Sequence, residues 1–214
     1  MSDPASLFDE RTTAWFRRAL GAPTAVQEQA WPAIASGRDT LVSAPTGTGK
    51  TLSAFLVFLD RLTALSRAGA LAEETHVIYI SPLKSLAGDI RENLRRPLDG
   101  IAAETKTSPF DVTAAVRTGD TTPAERRRMI AHPPHVLITT PESLYLLLTS
   151  ASGQKILRTA RAVILDELHA VLGTKRGAHL MLSLARLDAL SGAPLQRIGL
   201  SATIVPLALA AAYL

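Results

Sequence analysis

The chain contains no cysteine, which removes disulfides, thiolate–metal sites and cysteine nucleophiles together. That absence agrees with a reducing compartment, and a cytoplasmic location is the expectation. The N-terminal stretch MSDPASLFDERTTAWFRRALG has no basic start followed by an apolar run, so it does not read as a secretory signal. No stretch approaches the roughly 18 uninterrupted apolar residues of a membrane helix. The most apolar one, from Leu52 to Leu65, is broken by Asp60 and Arg61, so no membrane association is expected. Internal repeats and low-complexity tracts are missing too. What remains is a chain of 214 residues, 47% hydrophobic and 20% charged, which fits one globular domain with a core that needs no staples. Its 23 Lys and Arg against 19 Asp and Glu leave a net charge of +4, which permits contact with a polyanion but does not require it.

Short β-branched runs alternate with helical patterns. Thr40–Ala44, His76–Ser81, Asp111–Val116, His135–Thr140, Ala162–Asp166 and Arg197–Ser201 are of strand length and end at polar or turn residues. Between them, Leu52, Phe55, Leu56, Leu59 and Leu62 recur at spacings of three and four, as do Leu83, Leu86, Ala87, Ile90 and Leu94, and Leu180, Leu184, Leu187 and Leu190. Strand and helix in alternation predict an α/β fold with a mainly parallel sheet flanked by helices. Such a sheet carries its chemistry at the carboxyl ends of its strands.

Two of those strand ends are distinctive. Thr40–Ser43 leads into Ala44-Pro45-Thr46-Gly47-Thr48-Gly49-Lys50-Thr51 and then an amphipathic helix, the setting of a Walker A phosphate loop. Gly47 and Gly49 let successive N–H groups turn toward phosphate oxygens, and the helix N-terminus adds a positive dipole end. Lys50 would reach the β- and γ-phosphates of a nucleotide, and Thr51 would ligate Mg²⁺. Ala44 stands where the general pattern has Gly. The second end is Asp166-Glu167-Leu168-His169. Asp166 would hold Mg²⁺ and Glu167 would deprotonate an attacking water; alone, the same pair could simply cap the next helix. The loop and the carboxylates are expected on neighbouring strands.

With these in view, seven segments in order resemble the first lobe of a superfamily 2 helicase, a RecA-like P-loop NTPase domain. Thr24-Ala25-Val26-Gln27 resembles the Q motif, Ala44–Thr51 motif I and Ser81–Ala87 motif Ia. Thr118-Gly119-Asp120 falls where a motif Ib-type segment would, and Thr140-Pro141-Glu142-Ser143 resembles the segment that follows it. Asp166–His169 is similar to motif II, as DELH, and Ser201-Ala202-Thr203 to motif III. Together with Gly173-Thr174-Lys175-Arg176-Gly177-Ala178-His179, they look like the large helicase-related (Lhr) family of ATP-dependent 3′→5′ DNA helicases linked to DNA repair. Motifs IV to VI have no counterpart, and the chain stops eleven residues after Thr203. The expectation is a single lobe, 1–214, truncated after motif III, without the second lobe that supplies arginine fingers.

The resemblance implies the remaining roles. Gln27 would read adenine, with Pro45, Thr46, Gly47, Thr48, Gly49, Lys50 and Thr51 holding the phosphates. Trp15 or Phe16 could stack on the base, although core packing is the stronger reading. Nucleic acid, DNA rather than RNA, would run near Pro82, Lys84, Ser85, Arg117, Thr118, Gly119, Thr140, Pro141 and Glu142, with Lys84, Arg117, Lys175 and Arg176 neutralising phosphates. His169, Ser201 and Thr203 would couple the two sites, or the hydroxyls satisfy backbone at a strand end. Arg126-Arg127-Arg128 reads as a solvated helix face, and His132-Pro133-Pro134-His135 as a turn. A non-catalytic nucleotide- or nucleic-acid-binding module acting with a partner is the alternative function. A P-loop kinase or GTPase would need an acceptor or guanine motif that the sequence does not show.

Overall fold

The structure, a computed structural model, describes residues 4–82, 86–105, 111–202 and 207–214; Lys84, Ser85 and Thr203 of the expected site lie outside these. Strands β1 (Thr40–Ser43), β2 (Val77–Ile80), β3 (Ala114–Arg117), β4 (Val136–Thr139), β5 (Ala162–Leu165) and β6 (Gln196–Ser201) form one sheet. Their order is β1-β6-β5-β2-β4-β3, and every pairing is parallel. Each overlaps an expected run, with ends displaced by up to three residues at β3.

Parallel pairing forces crossovers, and the helices supply them. On one face lie α1 (Glu10–Leu20), α2 (Ala25–Ala35), α3 (Lys50–Arg67) and α4 (Leu86–Thr105). On the other lie α5 (Pro123–Ala131), α6 (Pro141–Leu148), α7 (Ala151–Leu157), α8 (Lys175–Ser191) and α9 (Leu207–Ala211). Strand alternation divides the core between the layers: Val77 and Tyr79 pack with the first group, Ile78 and Ile80 with the second. Because both faces are covered, β2, β4 and β5 are buried at every position and, but for Thr139 at the end of β4 and the Tyr79 hydroxyl, read as apolar runs. The first layer is aromatic. Phe16 meets Trp31 edge-to-face at 5.2 Å, and Phe55 stacks on Tyr79 at 4.8 Å. Trp15 packs so closely on α4 that a Cβ at Gly100 would lie 1.9 Å from its indole nitrogen. Among the described residues, no helix is long and apolar enough to cross a membrane.

Side chains cap most helix starts: Asp9 for α1, Thr24 for α2, Thr122 for α5, Thr140 for α6, Ser150 for α7 and Thr174 for α8. The α3 start differs. Its N-cap is Gly49, in the left-handed region at φ 84°, with no side-chain cap. The first N–H groups of α3 are therefore left to another acceptor.

At the opposite end of the sheet, His76 and His135 stack with ring centres 6.1 Å apart. His135 is held as a neutral imidazole: its Nδ1 accepts from the Thr113 N–H at 2.9 Å, and its Nε2 donates to the Ala72 carbonyl at 3.1 Å. Burial lowers both pKa values from 6.5; Glu74 opposes the shift and Arg161 adds to it at His76, while at His135 the neighbouring His76 adds to it and Glu73 and Asp111 oppose it. The unfolded chain thus binds more protons than the folded one below that value, so stability is full above it and falls as pH drops. Thermal unfolding from pH 8 to 5 is expected to show this decline, flattened in a His76→Gln/His135→Gln double variant.

Candidate nucleotide site and nucleic-acid face

The loop after β1 turns on Gly47 and Gly49, whose φ angles of 81° and 84° suit glycine and strain other residues. At Gly49 a side chain would also collide with Gln27, its Cβ falling 2.7 Å from Nε2, whereas the space beside Gly47 is open. Lys50 is buried, and its ammonium donates to the carbonyls of Ala44 at 2.5 Å and Pro45 at 2.8 Å. Thr24 Oγ1 donates to the Thr48 carbonyl at 3.0 Å, and Thr48 Oγ1 to that of Pro45 at 2.8 Å. Gln27 differs from the expectation of an amide turned to a base. It is buried, its Oε1 accepts from the Thr24 N–H at 3.0 Å in a capping box, and its Nε2 lies against the loop. The amide group therefore braces the loop from behind.

Loop and carboxylates are not on neighbouring strands. β6, the last strand in the chain, lies between β1 and β5. The apolar pattern announces a strand but carries no information on its place in the sheet, so the insertion could not be anticipated. Its effect is to put Ser201 between the two. Ser201 faces Ser43 in the sheet register, and its carbonyl accepts from the Ala44 N–H at 3.2 Å. Its hydroxyl accepts from the His169 N–H at 3.2 Å and lies 3.1 Å from His169 Nδ1. His169 Nδ1 is also 3.3 Å from Glu167 Oε2. The expected pairing of Ser201 with His169 is thus present.

Asp166 is anchored from two sides. Its N–H donates to the Ile80 carbonyl at 2.9 Å, and its Oδ1 accepts from the Glu167 N–H at 2.9 Å. Its other oxygen accepts from the hydroxyl of Tyr79. Burial raises the Asp166 pKa, with the Tyr79 and Glu167 hydrogen bonds opposing. Burial raises the Tyr79 phenol as well, with the Asp166 charge adding, so Tyr79 stays a donor. Glu167 follows in the left-handed region at φ 47°, alone among the described non-glycine residues. Such a backbone costs on the order of 1–3 kcal/mol and marks a site that needs it.

Thr46, Gly47, Gly49, Lys50, Thr51, Asp166 and Glu167 line one wall of a cavity of about 450 Å³. Trp15, Leu20, Asn93 and Arg96 contribute to the other. Phe16 is packed within the core, while Trp15, although 4% exposed, keeps part of its ring on this cavity. The donors suit a magnesium nucleotide. Among the described residues no group of three His, Asp or Glu could hold a metal by itself. A hydroxyl and one half-buried carboxylate suit an ion that draws its other ligands from phosphate and water.

The described ones among the expected nucleic-acid residues gather at the same sheet edge, after β2, β3 and β4 and at the starts of α6 and α8. Pro82 and Thr140 are buried there, and Gly119 and Lys175 are exposed. Three arginines depart from expectation. Arg117 shares a strand face with Ala115, so it points into the second layer, is 9% exposed and donates to the Thr118 carbonyl at 2.5 Å. Burial lowers its pKa, and Arg126 adds to this. Arg126 is not a free solvated side chain either, since it donates to the carbonyls of Thr121 at 2.8 Å and Gly119 at 3.0 Å. Arg176 grips Glu142, Nε to Oε1 at 2.5 Å and Nη2 to Oε2 at 3.0 Å, and holds that carboxyl below the usual carboxylate range.

A model of the DEAD/DEAH box helicase family matches residues 24–209. The chain belongs to that family. This helicase domain is 55% identical over 208 residues to the Lhr helicase/probable uracil glycosylase of Mycolicibacterium smegmatis, covering 96% of this chain and 14% of that protein. It is 47% identical over 211 residues to the ATP-dependent helicase Lhr-Core of Methanothermobacter thermautotrophicus, covering 98% and 24%. A solved structure of Mycobacterium smegmatis helicase Lhr bound to ssDNA and AMP-PNP superposes with TM-score 0.91 at 53% identity, over 98% of this chain and 26% of that one. The helicase domain therefore spans between 14% and 26% of the length of these relatives, and its architecture is RecA-like.

Sequence reasoning passed over two residues of this helicase domain. Tyr79 carries the carboxylate anchor, and its signal was a hydroxyl inside the otherwise aliphatic run Val77–Ile80, where a buried phenol must find a partner. Arg126 carries the loop after β3; nothing distinguished it from Arg127 and Arg128, since the helix phase of α5 decides which of them turns inward.

Proposed function

We propose that this chain is the ATP-binding motor lobe of an Lhr-like ATP-dependent nucleic-acid helicase. The observation that carries the reading is the uncapped, glycine-led start of α3 opening onto one cavity shared with Lys50, Asp166 and Glu167. N–H groups of the loop and of the first turn of α3 bind the β- and γ-phosphates. Lys50 exchanges its carbonyl partners for phosphate oxygens. Thr51 and Asp166 hold Mg²⁺, which when bound neutralises charge on the phosphates. Glu167 accepts the proton of the attacking water at its carboxylate, with His169 beside it. Tyr79 keeps the Asp166 carboxylate pointed at the cavity.

Single-stranded DNA is the proposed polymer, supported by the ssDNA-bound Lhr structure that this chain resembles. Its backbone crosses Pro82, Lys84, Ser85, Thr118, Gly119, Thr140, Pro141 and Lys175. Ser201, Thr203 and His169 link that face to the γ-phosphate end. Translocation 3′→5′ follows the Lhr resemblance.

A second lobe supplies the arginine finger, worth about 10³–10⁵ in rate. The 214-residue chain is therefore expected to bind Mg·ATP and to hydrolyse it well below about 1 s⁻¹, as read by phosphate release. Adding a separately expressed second lobe and oligo-dT should restore DNA-stimulated turnover. A fast ATPase without that addition, or no rescue with it, would speak against the split of labour proposed, and no rescue would favour a non-catalytic binding module.

A further inference from the structure

Glu142 presents a difficulty for the proposed polynucleotide track. It puts a carboxylate in the first turn of α6, beside Thr140 and Pro141, where phosphates would have to pass. A carboxylate there takes the favourable position at the helix N-terminus and repels a second anion. The structure answers with Arg176. Its guanidinium grips both carboxylate oxygens, and Nη2 also donates to the Pro82 carbonyl at 2.9 Å. One side chain from the start of α8 thus ties the start of α6 to the end of β2. The side chains of Arg176 and Glu142 are 40% and 56% exposed, so the pair contributes little to stability. Its weight lies in geometry and in local charge. Planar bidentate pairing is what an arginine fork does and a lysine ammonium does not.

We propose that Arg176 is a positioning residue for single-stranded nucleic acid: it neutralises Glu142, draws the carboxylate toward Pro82, and so opens the α6 start to the phosphodiester backbone without touching a phosphate itself. The inference rests on the nucleic-acid reading above and replaces the phosphate contact expected of Arg176 from the sequence.

The two roles predict different rescues. Binding of a fluorescein-labelled oligo-dT to the 214-residue chain is measured by anisotropy at low salt for the wild type, Arg176→Gln, Glu142→Gln and the double variant, with thermal unfolding as a check on folding. Arg176→Gln should weaken binding about tenfold by leaving an unpaired carboxylate on the track. Glu142→Gln should bind at least as well as wild type, and the double variant should return to within about twofold of it. If Arg176 instead contacts phosphate, the double variant stays as weak as Arg176→Gln, and the proposal is wrong. An unchanged Arg176→Gln overturns it equally. Should Arg176→Gln unfold, the charge-swapped pair Glu142→Arg/Arg176→Glu decides: binding is retained if the pair acts as a neutral clamp and lost if residue 176 must be cationic. A wild-type chain that binds no oligonucleotide removes the nucleic-acid reading and this inference with it, whereas binding without rescue removes the inference alone.

Discussion

Glu167→Gln, in the lobe supplemented with its second half and DNA, is expected to lower ATP turnover by about 10²–10⁴-fold while Mg·ATP affinity changes by less than about threefold. Gln keeps the size of Glu167 and an oxygen for His169, which lies 3.3 Å away, so the geometry of the cavity should persist. What it loses is the capacity to take a proton. The left-handed backbone at φ 47° is a property of the turn into the short helical segment Leu168–Ala170 and is not altered by the exchange. Single-turnover phosphate release separates the chemical step from binding, and fluorescent-nucleotide titration measures the affinity. Turnover within about twofold of wild type would remove Glu167 from the role of base and leave the water to some other group.

Lys50→Ala is expected to act one stage earlier. Among the described residues lining the loop side of the cavity the ammonium is the one buried cation, and its present acceptors, Ala44 and Pro45, are loop carbonyls. A triphosphate offers it charged acceptors instead, which form hydrogen bonds roughly twice as strong as neutral ones. Removing it should weaken binding of a non-hydrolysable ATP analogue by about 100-fold, or roughly 2.7 kcal/mol. The melting temperature should move less, because what the fold itself loses is two hydrogen bonds to the loop carbonyls of Ala44 and Pro45, the first of them buried. Calorimetric titration with Mg²⁺ and the analogue gives the first quantity and thermal unfolding the second. Unchanged affinity would show that the phosphates lie elsewhere, and the whole nucleotide assignment would go with it.

These two residues were legible because their chemistry is local. A glycine pair, a lysine and a hydroxyl at fixed spacing after a strand define a phosphate cradle whatever surrounds them, and the structure builds that loop on Gly47 and Gly49. The same holds for the strands, since an apolar run bounded by turn residues is visible to anyone reading along the chain. The helices fared less evenly. α3, α4 and α8 are long enough to show their period, whereas α6 and α7, at eight and seven residues, span too few turns to declare one.

Where the side chains finally point was another matter. Arg117 and Arg176 look alike in sequence, yet one is turned into the α5–α7 layer by the two-residue alternation of β3 and the other is captured by Glu142. Gln27 looked free to read a base until Thr24 and Gly49 closed on it. Sequence alone determined the α/β class, the phosphate loop and the acidic strand end, because each depends on neighbours within a few residues. The order of the strands, with β6 set between loop and carboxylates, the Tyr79 anchor on Asp166 and the Arg176 clamp arose only in three dimensions. Each joins residues tens of positions apart, and which of many possible partners meet is settled by the packing of the entire core.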